Sequence, residues 1–211
     1  MDSGNVSAII SAVAGISGVL LGNVFVLIKE WWVKRSTVNQ NTTYLGIIVV
    51  SHLDRFAGQC YEVCIDDGTL RGRPAGQDGH CEATTTVPVF SPLELDVDWK
   101  LLPRELMYSI LRIPDQQDQI HGKLQGIQEY DYDPPDHPEY FWVRRRSYAV
   151  LGLQASELVR KLRLHAGLPL DEPLPGEWSR DKYMSEAITN LDELERRSRL
   201  RNSGADEHKQ V

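Results

Sequence analysis

Four side chains able to act as soft-metal ligands or nucleophiles lie within one short stretch of the chain: Cys60, Cys64, His80 and Cys81. A set of three thiolates and one imidazole is of the kind that zinc takes in structural sites. Cys60 and Cys64 stand four apart and share a helical face, so His80 and Cys81 would have to fold back onto them. Adjacent His and Cys make awkward tetrahedral partners, and Cys-x-x-x-Cys is not the spacing of a metal knuckle. Small thiols on a core face explain the first pair equally well. These four are the metal candidates of the sequence. Three cysteines in 211 residues, an odd number, also argue against a disulfide framework and for reduced thiols.

The carboxylates give two further groups. Asp131, Asp133, Asp136, His137 and Glu139 form an acidic, proline-broken run whose oxygens suit a divalent cation. It lacks the glycine and spacing of an EF-hand loop, and a solvated linker with a helix cap is the simpler account. Glu94, Asp96 and Asp98 alternate with apolar residues, which places them on one solvated face. Acid–base catalysis needs two carboxylates converging in a pocket, and neither run implies that convergence.

The cations gather at Arg144-Arg145-Arg146 and at Arg196, Arg197, Arg199 and Arg201. Either group could touch anionic headgroups or an acidic partner. Residues 177–201 nevertheless hold six cations and six anions, so the second group reads as charge compensating a helix C-terminus. The glycine-rich stretch around residues 68–79 is not followed by Lys-Ser or Lys-Thr, and neither a nucleophile elbow nor a dinucleotide fingerprint occurs. No catalytic residue and no cofactor is assigned, and an enzymatic role is not indicated.

The element that positions the rest is apolar. From Val6 to Ile28 there are 23 consecutive uncharged residues. At 1.5 Å per residue this is roughly 34 Å of helix, enough for one crossing of a hydrocarbon core of about 30 Å. No cation precedes the segment, whereas Lys29, Lys34 and Arg35 follow it with Trp31 and Trp32 at the level of an aromatic belt. A signal peptide would carry a basic start and a shorter apolar core. The sequence thus predicts a plasma-membrane (bacterial inner-membrane) protein with a single span, its N-terminus outside and its C-terminal domain cytoplasmic. Ala14, Gly18 and Gly22, repeating every four residues, offer a helix-packing face for self-association in the lipid bilayer.

The expected organisation is a short extracytoplasmic N-terminus (1–5), a transmembrane helix (6–28), a juxtamembrane segment (29–43), a cytoplasmic helical bundle (44–201) and a disordered tail (202–211). All Lys and Arg, and every acid except Asp2, follow residue 28, so the cytoplasmic part is acidic and nucleic acid is not an expected partner. The fold class is all-α, with about four helices. Leu45, Val49, His52, Phe56, Cys60 and Val63 step by threes and fours over 44–65. Leu106, Ile110 and Ile113 follow Pro103, Pro114 breaks or kinks that helix, and the pattern resumes through Gln128. Asp136 and Glu139 resemble a capping pair ahead of a long helix whose seam is Tyr148, Leu151, Ala155, Leu158 and Leu162, a spacing shared with coiled coils, ended by Gly167 and Pro169. Met184, Ile188, Leu191 and Leu194 mark a last helix over 177–201, laced by Asp192–Arg196, Glu193–Arg197 and Glu195–Arg199 pairs.

Between the first two cytoplasmic helices lies a loop and an extended strap, 66–102. Leu93, Leu95, Val97, Trp99 and Leu101 alternate with charged residues, so the strap should lay one apolar face across the helices, paired with "TTTVPVF". "SPLELDVDWK" followed by "LMYSIL" resembles uncharacterised bacterial single-pass membrane proteins with a helical cytoplasmic region. That resemblance implies an inner-membrane setting and carries no functional residues with it. The expected role is a non-catalytic, self-associating interaction or scaffold protein. The alternatives are a membrane-tethered metal-binding protein or enzyme using Cys60, Cys64, His80 and Cys81, and an accessory subunit of a membrane complex or phage-encoded membrane factor.

Overall fold

The computed structural model describes residues 29, 37–130, 133–171 and 176–207. The anticipated span at 6–28, its small-residue face and the belt residues Trp31, Trp32, Lys34 and Arg35 lie outside the described residues, while Lys29 is exposed. Among the described residues no helix is long and apolar enough to cross a membrane.

These residues form an all-α bundle. Helix α1 covers residues 37–65. Its inner face is Leu45, Val49, Leu53, Phe56, Cys60 and Val63, all buried. Leu53 takes the place expected for His52, which is exposed. A one-residue drift is permitted because a 3.6-residue turn lets either position fall near the seam, and the apolar side chain gains more from burial. After α1 a two-residue hairpin pairs β1 (Thr69–Leu70) with β2 (Arg73–Pro74), antiparallel. Arg71 and Gly72 both have positive φ at its tip, as a twist-matched two-residue turn demands.

The strap then runs over the bundle without joining a sheet; β1 and β2 are the only strand pair among the described residues. Its expected alternation survives as burial: Leu95, Val97, Trp99 and Leu101 are half-buried against the core, and the charged residues between them are exposed. The chain is not extended throughout, because 3-10 turns form at Pro92–Glu94 and Trp99–Leu101. The first of these turns Leu93 outward, to 79% exposure. The partner foreseen in "TTTVPVF" is not a strand either. Instead the Gln117 carboxamide donates to the Pro88 carbonyl at 2.6 Å and accepts from the Phe90 amide at 3.2 Å.

Helix α2 (Arg104–Leu111) gives way at Arg112 to α3 (Ile113–Tyr130). Pro114, which lacks an N–H and suits only a first helical turn, explains the break. Helix α4 (Pro138–Ala166) is the central element and packs on α5 (Arg180–Glu207), α3 and α2. Tyr148, Leu151, Ala155, Leu158 and Leu162 are all buried along it, as their spacing predicts. Gly167 ends α4 with φ +66 while the Leu168 amide reaches back to the Arg163 carbonyl at 2.8 Å. At the other end the capping pair is not formed. His137 occupies the cap position with φ +46 and no side-chain cap bond, and Asp136 Oδ1 lies 4.0 Å from Cys81 Sγ. Helix α5 starts at Arg180, three residues later than expected, and continues to Glu207, into the segment 202–211 expected to be disordered, whose last four residues lie outside the described residues. Its core contacts are Met184 and Leu191; Leu194 is exposed.

Candidate functional site

The polar centre of the molecule lies where α1 ends. Asp66 follows the last turn of α1, and Arg144 sits in the second turn of α4; the two side chains are each 1% exposed and their ion pair spans 2.8 Å. A carboxylate at this depth must have its lone pairs filled, since an unmatched buried charge is prohibitively costly. One oxygen of Asp66 accepts from the Gly68 amide (3.1 Å) and the Thr84 hydroxyl (2.8 Å). The other accepts from the Thr84 amide (2.9 Å), the Thr85 amide (3.0 Å), the Thr85 hydroxyl (2.8 Å) and Arg144. Arg144 completes its own fork by donating to the Thr85 carbonyl and hydroxyl, at 2.8 and 2.9 Å.

Burial alone would raise the Asp66 carboxyl, but the hydroxyls of Thr85 and Thr84 and the surrounding amides outweigh it. Together they hold the group well below the usual carboxylate range. Gly68 makes the arrangement possible, because its φ is +78 and an added Cβ would collide with the Phe141 ring. Neither Asp66 nor the two threonines stood out in the sequence. The available signals were a carboxylate at the end of an amphipathic helix, a Thr-Thr-Thr run and an arginine in the first turns of an otherwise seam-forming helix.

Of the arginine triplet, Arg144 is buried in the pair with Asp66, and Arg145 and Arg146 are half-buried with partners inside the chain. Arg145 donates to the Cys64 carbonyl at 2.8 Å, and Arg146 forks onto Asp192, its second bond at 3.1 Å. The Arg146 pair replaces the expected Asp192–Arg196 contact, whereas Glu193–Arg197 forms at 3.2 Å. Arg196 and Arg197 are exposed, and the side chains of Arg199 and Arg201 lie outside the described residues.

The cysteine and histidine candidates are divided between two places. Cys60 and Cys64 are fully buried, Cys64 against Ala149 and Met184. The Cys60 wall also closes on Gly152, where an added Cβ would stand 2.9 Å from Cys60 Cβ and 2.8 Å from Met184 Sδ. Burial pushes both thiols up from their ordinary value, against smaller lowering by Arg180 at Cys60 and Arg145 at Cys64. Cys81 is raised by burial and then by Asp136 and Asp67, and its Sγ lies 4.0 Å from Asp136 Oδ1. A nucleophilic thiol requires the opposite electrostatics. His80 and Cys81 line a cleft of about 400 Å³ with Asp78, Glu82, His137 and Tyr140, and the His80 and His137 rings are 5.8 Å apart between centroids.

Among the described residues no group of three or more His, Cys, Asp or Glu side chains is placed to hold a metal ion. In the acidic linker the Asp133 carbonyl accepts from the His137 amide at 2.9 Å; Asp131 lies outside the described residues. Glu94 and Asp98 are exposed, Asp96 likewise, and Asp98 accepts from the Lys100 amide at 3.1 Å.

Two grooves of about 500 Å³ also face solvent, one between Asp54, Arg160 and Arg180 and one along the strap. In the second, residues 87–94 form one wall, and Leu111, Pro114, Asp115, Asp118 and His121 of α2 and α3 the other. Val87, Val89 and Leu93 are exposed there. No protein-family model, curated protein or solved structure matches the chain.

Proposed function

We propose that the chain is a single-pass, membrane-anchored interaction module whose helical bundle sits on the cytoplasmic side and acts by tethering, without a chemical step. One observation carries the non-catalytic part. Asp66, Arg144, Cys60 and Cys64 are consumed in packing the bundle, the Cys81 thiol beside the His80 cleft is pushed up by burial and by Asp136, and apolar side chains of the strap are offered to solvent. An active site needs its acid, base or nucleophile within reach of a substrate, and the first four groups are sealed from one. The anchoring part is supported by the uncharged run at 6–28 and the cations and tryptophans that follow it. Confinement next to a bilayer raises the bundle's effective concentration towards membrane partners, which is sufficient for a scaffold.

The test is topological. The full chain should resist extraction by alkaline wash, and a reporter fused after Val211 should be active only as a cytoplasmic reporter. Replacing Leu20 and Leu21 with Arg should release it, since each arginine at the centre of a span costs about 2.5–3.5 kcal/mol of insertion. A wild-type chain that washes off, or a reporter active on the far side, would remove the tethering role.

A further inference from the structure

The strap carries an extended, unpaired backbone run beside α3, though it joins no sheet among the described residues. Pro88 and Phe90 are buried and Val87 and Val89 exposed, the alternation of an extended run. In such a run the N–H and C=O of successive residues point to opposite sides. The Pro88 carbonyl and Phe90 amide are both taken by Gln117 of α3, which defines the inner edge. The backbone groups of Val87 and Val89 therefore point the other way, and neither residue has a hydrogen-bond partner among the described residues. Pro88, which has no N–H, falls on the inner edge and leaves the outer one uninterrupted.

Unpaired edges template the addition of another strand, and proteins that do not use them blunt them with charge, proline or cover. Here the outward side chains are two valines, with Val89 77% exposed. The groove beside them is lined by Glu94, Asp115 and Asp118, with no Lys or Arg in its described lining.

We infer that the Val87–Val89 edge is a docking site for an extended, cationic segment of a partner protein, which adds as a strand and places its basic residues against Glu94, Asp115 and Asp118. Main-chain hydrogen bonds supply affinity in this mode, and side-chain pockets and charge supply selectivity. A second copy of this chain fits less well: its own edge would bring the same three carboxylates against their equivalents. The inference names the partner class for the interaction role proposed above and rests on it.

The experiment uses the full chain and two labelled heptapeptides, one alternating lysine with valine and one alternating glutamate with valine. The lysine peptide should bind, with fluorescence anisotropy rising on titration, and the glutamate peptide should not. Val89→Pro, which removes an outward amide at an exposed position, should weaken binding about tenfold. The triple charge reversal Glu94→Lys, Asp115→Lys and Asp118→Lys should weaken it by a similar factor and reduce its salt dependence. Circular dichroism of each variant checks that the bundle is intact. Equal binding of both peptides, or an unchanged affinity in Val89→Pro, would overturn the site. So would concentration-dependent dimerisation abolished by Val89→Pro, which would make a second copy the occupant. The topology test has an independent readout: a correctly placed chain that ignores the lysine peptide loses the site and keeps the tether, and the reverse result loses only the tether.

Discussion

Replacing Asp66 with Ala should be among the most damaging single changes available to this chain. The substitution strands a guanidinium that is 1% exposed and leaves the Gly68, Thr84 and Thr85 donors facing a void. Removing one partner of a buried ion pair costs about 3–5 kcal/mol, a large part of a total stability of about 5–15 kcal/mol. At about 2–4 °C per kcal/mol for a chain of this size, the midpoint should drop by about 6–20 °C. Urea unfolding of the full chain, followed by circular dichroism, measures the cost directly. The double variant Asp66→Ala with Arg144→Met removes both charges and should recover much of the loss, so the cycle should be strongly non-additive.

The pH dependence provides a second reading of the same site. The folded carboxyl lies below its ordinary 3.8, so its stabilising contribution is complete above that value and is lost as pH falls through the depressed folded value. Acid unfolding of Asp66→Ala should lack that component. A cost under about 1 kcal/mol, or a double variant as unstable as the two singles combined, would refute the view that this pair is the polar keystone.

Two other predictions concern the cysteines and the span. Native Cys60 and Cys64 should resist alkylation at neutral pH and react only after unfolding, and chelator should leave the melting temperature unchanged; rapid labelling of either thiol, or chelator-induced melting, would reopen the metal alternative. Gly18→Leu with Gly22→Leu should weaken self-association in a membrane reporter assay, and an unchanged signal would move any oligomer contact from the span to the bundle.

The sequence makes the helices legible because their burial is periodic. Tyr148 to Leu162 could be placed on one face by counting, and Gly167 announced its own left-handed cap. Where two registers compete, counting fails by a residue, as with His52 for Leu53. Counting also overreaches near the end of α5, where Leu194 keeps the seam spacing but is 58% exposed. The strap was half legible, since alternation predicts which residues face inward but says nothing of what holds the backbone, and a glutamine side chain took the role assigned to a strand. The Asp66–Arg144 pair was not legible at all. Its members are 78 residues apart, and nothing local distinguishes a buried arginine from the two that follow it.

The ion pair also determines where this chain can be lengthened. Asp66 binds the amides of Gly68 on one side and of Thr84 and Thr85 on the other, so one carboxylate ties both ends of the hairpin excursion. Once the ends are fixed, a longer loop costs little: each doubling of length adds only about 0.6 kcal/mol of closure entropy. At the tip Gly72 faces open space, and because its φ is +75 it must stay glycine, so added residues belong beside it rather than in its place. Residues 71–72 are thus a natural port for an inserted epitope or fluorophore tag, which would report on the bundle while leaving the helices and the strap edge untouched.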